Sequence, residues 1–166
     1  MKEYILSFIT YMTITFIILF ITRMVLNRGR IINKRRELTL ITFFSYVMGV
    51  LSQALKLGNK ETSFINLIPF KIIIRDIKGL IDGNYLLFLI NIVGNIVLFI
   101  PIGILIPILW KIKDRYVILI GFLISLSIEI TQLFLDRVTD VDDLILNTLG
   151  VIIGLLVYKC VKKKNN

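Results

Sequence analysis

No histidine occurs in this 166-residue chain. Triads that use imidazole as a base, and the usual His-containing zinc and iron sites, are therefore excluded. Cys160 is the sole cysteine, so neither an intrachain disulfide nor a Cys-based zinc cage can form. It lies in the basic segment YKCVKKK, where it reads as an inert thiol at a helix end or as an acylation site. No small-x-small cleavage site follows the first apolar stretch, from Tyr4 to Phe20. That stretch exceeds the h-region of a signal peptide, so a cleavable signal is not expected. No internal repeat or low-complexity segment stands out. No stretch outside the apolar runs interleaves bases with aromatics, so no nucleic-acid partner is expected, despite a formal net charge of +9.

What the chain has in excess is apolar length. Hydrophobic residues make up 57% and the mean hydropathy is +0.87, above an ordinary soluble domain. Apolar runs of about 18 residues or more imply membrane spans. Five are expected, at about residues 4–26, 38–57, 85–109, 116–135 and 144–161. The expected architecture is all-α: a polytopic membrane helix bundle forming one domain over 1–166. Tyr4, Tyr85, Trp110, Tyr116 and Tyr158 fall near span ends, where amphipathic rings favour the headgroup level. Arg23 is placed to snorkel from the first span.

Basic residues orient the bundle. Arg28, Arg30, Lys34, Arg35 and Arg36 lie between the first two spans, in the connector NKRRE and just before it. Lys111, Lys113 and Arg115 lie between the third and fourth. Lys159, Lys162, Lys163 and Lys164 form the tail. These twelve bases share one side, against six on the other: Lys2, Lys60, Lys71, Arg75, Lys78 and Arg137. The positive-inside rule places the N-terminus outside and the C-terminus in the cytoplasm.

Between spans two and three, Phe70, Ile73, Ile74, Ile77, Leu80 and Ile81 recur at helical spacing, with Lys71, Arg75, Lys78 and Asp82 on the opposite face. This pattern predicts one interfacial amphipathic helix. Pro69 suits its first position. The helix is either a cover over the bundle mouth or a basic platform for anionic lipid phosphate.

Polar residues gather toward one leaflet. Asn91 and Asn95 share a face of span three, Gly94 beside them permits close helix approach, and Pro101 should kink that span. Glu129 and Gln132 share a face near the end of span four. The following loop supplies Asp136, Arg137, Asp140 and Asp142. Asp143 opens span five, with Asn147 one turn on. Gly150 and Gly154 form a GxxxG close-packing pair. The candidate pocket is Asn66, Asn91, Asn95, Glu129, Gln132, Arg137, Asp140, Asp143 and Asn147. Intramembrane carboxylates are functional by default; the competing reading is a hydrogen-bonded scaffold in which Glu129 pairs with Arg137.

Three elements carry a family resemblance. Asn66-Leu67-Ile68-Pro69-Phe70, the run NIVGNIVLFIPIG from Asn91 to Gly103, and Glu129-x2-Gln132 followed by Arg137-x2-Asp140-x2-Asp143-x3-Asn147-x2-Gly150-x3-Gly154 resemble, in order and spacing, the VanZ-like membrane proteins. The resemblance spans about residues 64–158. It implies a multi-pass protein of the bacterial cell envelope, and its namesake lowers susceptibility to teicoplanin-type lipoglycopeptides. The expected partners are membrane lipid, a lipid-linked wall precursor or a lipoglycopeptide. No cofactor or metal is expected, and oligomeric state is open.

Two other functions compete with this reading. One is a membrane-embedded hydrolase or transferase acting on a lipid phosphate or lipid-linked glycan. Glu129 would be its acid or base, Asp140, Asp142 and Asp143 would hold a divalent cation, and Arg137 would bind phosphate. No activated nucleophile is visible: Ser125 is one turn from Glu129, but a hydroxyl and a carboxylate are weaker evidence than a nucleophile, base and orienter. The other is a small transporter with span three broken at Pro101, disfavoured because no inverted repeat is present.

Overall fold

A computed structural model of the chain describes residues 2–28, 33–54 and 65–164. Helix α1 (Lys2–Leu26) is followed by α2 (Lys34–Ala54). A two-residue strand, β1 (Ile65–Asn66), leads to the short helix α3 (Lys71–Ile81). The turn α4 (Tyr85–Leu87), a π-helical stretch (Phe88–Val93) and α5 (Gly94–Leu109) run on as one long rod. Helix α6 (Asp114–Leu133), strand β2 (Thr139–Asp140) and helix α7 (Val141–Lys164) complete the chain.

Four of these rods are long and apolar enough to cross a membrane: Ile5–Leu26, Tyr85–Leu109, Asp114–Leu133 and Val141–Lys164. They coincide with four of the five expected spans. The fifth corresponds to α2, which is 21 residues long but opens with Lys34, Arg35, Arg36 and Glu37 and is less apolar. The expected far end of that span, residues 55–57, lies outside the described residues, as do Arg30, Lys60 and Phe64.

The bundle is built around α5 and α7, its most extensive pairing. Glycines make that possible. A Cβ at Gly150 would fall on the Ile96 carbonyl, one at Gly154 on the Ile100 carbonyl, and one at Gly103 on the Val151 carbonyl. The two backbones therefore interlock from both sides, as small residues allow between membrane helices. Gly121 of α6 receives the Val151 side chain in the same layer. Gly94, expected to serve close approach, does not. Its nearest neighbour beyond its own turn is the Leu89 carbonyl at 3.6 Å from a Cβ position. Helix α5 continues through both Pro101 and Pro107.

The apolar core comprises Phe99, Ile102 and Ile106 of α5, Val117 and Ile128 of α6, Val151 and Leu155 of α7, and Phe43 and Val50 of α2. Tyr46 ties α2 to α5 by donating its hydroxyl to the Leu98 carbonyl at 2.7 Å. Helix α1 packs against α2, with Phe8 seated over Gly49. At the opposite end of α1, Arg23 meets the Glu37 carboxylate bidentately at 2.6 and 2.8 Å. Most of the remaining α1 surface is apolar and exposed, as lipid-facing surface must be.

Helix α3 lies across the end of the bundle where α6 finishes and α7 begins. It is amphipathic in the expected register, but its apolar side faces outward. Ile74, Ile77 and Leu80 are exposed and Ile81 is 80% exposed, whereas Asp76 is buried at 1%. A helix that turns apolar residues away from the protein and a carboxylate into it fits an interfacial setting. The helix starts at Lys71. Pro69 is not its first residue, because Phe70 adopts a left-handed conformation (φ 66°) at the N-cap and separates proline from helix.

Candidate functional site

The α3 end of the bundle is organised by a chain of polar contacts. Strands β1 and β2 pair in parallel, with Ile65 opposite Thr139 and Asn66 opposite Asp140. Asn66 donates Nδ2 to Asp140 Oδ1 at 2.8 Å, and the same oxygen accepts the Asp142 backbone N–H at 2.9 Å. The Asp140 backbone N–H in turn donates to Glu129 Oε2 at 3.0 Å. Glu129 is 6% exposed.

Asp142 is fully buried and closes the start of α3. Its carboxylate accepts the backbone N–H groups of Phe70, of Ile72 at 2.7 Å and of Ile73 at 3.1 Å. Helix N-termini leave these donors without intrahelical partners, and a negative group there is favoured by the helix dipole. Asp143 points elsewhere and accepts Asn95 Nδ2 at 2.6 Å. The three acidic groups of the DVDD run thus serve three separate tasks. Among the described residues no group of three or more His, Cys, Asp or Glu side chains converges in a metal-holding arrangement.

Beneath this rim lies a cavity of about 690 Å³. Seven of the nine candidate residues line it: Asn91, Asn95, Glu129, Gln132, Arg137, Asp143 and Asn147. Asn66 and Asp140 stand behind it and hold Glu129 through the Asp140 backbone. Gln53 of α2 also contributes, together with apolar walls from Ile5, Phe8, Val50, Ile90, Leu98, Phe99 and Ile128. The volume lies in the range of small-molecule sites. Gln132 Oε1 and Asn147 Oδ1 are buried with no hydrogen-bond partner among the described residues. An unmet buried acceptor costs about 1–3 kcal/mol.

The expected Glu129–Arg137 contact is replaced by others. Glu129 and Arg137 form no ion pair. Arg137 donates Nη1 to the Gln53 carbonyl, while Glu129 is taken up by the Asp140 backbone. Ser125 accepts Asn147 Nδ2 at 2.8 Å, and no hydrogen bond joins it to Glu129, so a hydroxyl–carboxylate pair is not assembled. Asn91 and Asn95 both reach the cavity but serve different partners, since Asn91 Nδ2 donates to Asp76 Oδ2 at 2.7 Å. Asp76 also pairs with Arg75 at 2.6 Å.

Asp76 was not among the candidates, and Asp142 was named only as a cation ligand of the competing enzyme reading. The signal for Asp76 was its position on the line Ile72–Asp76–Gly79, which belongs to neither the apolar nor the basic face of α3. The capping role of Asp142 gave no local signal, because its partners lie 70 residues earlier in sequence.

A family model described as VanZ/LLP1 matches residues 8–162, nearly the whole chain. The chain belongs to the VanZ/LLP1 family. All three motif elements of the VanZ resemblance converge on this one rim. NLIPF forms β1 and the α3 cap, the Asn91 element forms one cavity wall, and the Glu129–Gly154 element forms the opposite wall and the α5–α7 interlock. No curated protein and no solved structure matches this VanZ/LLP1 chain.

Proposed function

We propose that this VanZ/LLP1 protein is a bacterial cell-envelope component with five spans, its N-terminus outside and its C-terminus cytoplasmic. In this reading α2 is the fifth span and the cavity opens to the extracytoplasmic leaflet. The twelve bases of the opposite side support that orientation. There the cavity engages a membrane lipid or a lipid-linked wall component, and it alters how teicoplanin-type lipoglycopeptides act at the cell surface. The observation that carries the proposal is the convergence of buried, incompletely partnered polar groups from α6 and α7 on a half-apolar cavity. A scaffold network would close on itself, whereas Gln132 and Asn147 leave acceptors unmet.

Expression in a teicoplanin-sensitive host tests the resistance role. The expected result is a raised inhibitory concentration that Gln132→Leu and Asn147→Leu each remove at equal protein level. Unchanged susceptibility with the protein present in the membrane counts against it. The alternative, a hydrolase or transferase on a lipid phosphate or lipid-linked glycan, rests on Glu129 and Arg137 lining one cavity. Magnesium-dependent turnover of a labelled lipid carrier, lost in Glu129→Gln, would favour that alternative.

A further inference from the structure

The ionisable lining of the cavity is lopsided. Among the described residues Glu129 and Asp143 contribute two carboxylates and Arg137 one cation. The guanidinium is already tied by Nη1 to the Gln53 carbonyl. Each carboxylate has one oxygen engaged within the protein, by the Asp140 N–H and by Asn95 Nδ2 respectively. No donor among the described residues reaches the second oxygen of either. The two buried side-chain atoms of the lining without partners, Gln132 Oε1 and Asn147 Oδ1, are acceptors as well. A surface of unmet acceptors that includes two carboxyl groups complements a ligand that brings several N–H donors and positive charge.

The apolar half adds a second constraint. Ile5 and Ile90 line the cavity and are also about half exposed on the outer surface. The apolar wall therefore continues onto the lipid-facing side of the bundle. A ligand that fills both halves is an amphiphile with a cationic head.

We infer that the cavity takes the primary ammonium of an aminolipid headgroup, held between Glu129 and Asp143, with the adjoining phosphodiester toward Arg137 and the acyl chains leaving past Ile5 and Ile90. This rests on reading the cavity as a lipid site and specifies its headgroup. A primary ammonium offers three donors to the unmet acceptors. A quaternary ammonium offers none, and a glycerol headgroup brings no positive charge.

The test uses the full chain purified in mild detergent and equilibrated with equal amounts of dioleoyl phosphatidylethanolamine, phosphatidylcholine and phosphatidylglycerol. Retained lipid is read by native mass spectrometry. The ethanolamine lipid should be retained at least about tenfold over either of the others, the scale of one charge-assisted hydrogen bond. Glu129→Gln and Asp143→Asn should each abolish that preference. Both replacements keep an acceptor for the Asp140 N–H or for Asn95, so if one fails to fold the other carries the test. Preferred retention of phosphatidylglycerol, or an unchanged preference in both variants, overturns the ammonium assignment and leaves a lipid site standing. Displacement by free ethanolamine at matched concentration overturns the lipid source. A folded protein that retains none of the three lipids overturns both the headgroup and the lipid site.

Discussion

Asp142 accepts the backbone N–H of Ile72 at 2.7 Å, so the first turn of α7 supplies the cap that α3 does not carry itself. Phe70 holds the N-cap position with no side-chain bond to offer. Asp142→Ala leaves three backbone donors unmet and should lower stability by about 3 kcal/mol, the scale of hydrogen bonds to a charged group. The thermal unfolding midpoint in detergent measures this. Cleavage by an added protease in the 65–70 segment should rise in parallel.

The α5–α7 interlock predicts a sharp contrast among glycines. Gly150→Ala and Gly154→Ala would each press a methyl onto a carbonyl of α5 and should destabilise by about 1–3 kcal/mol, the cost of overpacking. Gly79→Ala is the counterpart. Its Cβ would meet nothing nearer than 3.8 Å, and alanine is favoured over glycine in a helix by up to about 1 kcal/mol. Yield of monodisperse protein should fall for the first two and hold or rise for the third.

Glu129 and Arg137 act through backbone groups rather than through each other. Exchange of their charges in a double reversal, Glu129→Arg with Arg137→Glu, should therefore fail to restore protein levels lost in the single reversals. Recovery to wild-type level in the double variant would show a direct pair and contradict the observed partners.

Arg23 and Glu37 do meet directly, and they join α1 to α2 at the end opposite the cavity. Glu37→Gln should weaken that junction by about 0.5–1 kcal/mol, since Arg23 is substantially exposed to screening. The Arg23→Glu, Glu37→Arg exchange should recover most of the loss, read as the coupling energy of a double-mutant cycle.

Much of this arrangement was legible in the chain. Apolar length gave four spans to within a few residues, GxxxG gave the α7 packing face, and one-turn spacings brought Asn95, Glu129, Gln132 and Asn147 to a common cavity. The sequence was silent wherever a polar group satisfies backbone donors far away. Asp142 looked like a third cation ligand because its neighbours are acidic, yet its partners are the exposed N–H groups of another helix. The Glu129–Arg137 pair was expected from charge and proximity. The Asp140 and Gln53 backbone groups, which carry no signature in a residue string, outcompeted it. Asn91 and Asn95 share a spacing but not a partner, because α3 brings Asp76 to the first and α7 brings Asp143 to the second.

The Asn66–Asp140 bond joins residues 74 positions apart, and this has a bearing on biogenesis. A ribosome adding roughly 5–20 residues per second needs on the order of 4–15 s to travel that distance. Throughout that interval the nascent NLIPF segment is without its β2 partner and its Asp142 cap. Arrival of β2 and the last helix then fastens this stretch, so quality control that samples the unfinished chain would find it still loose.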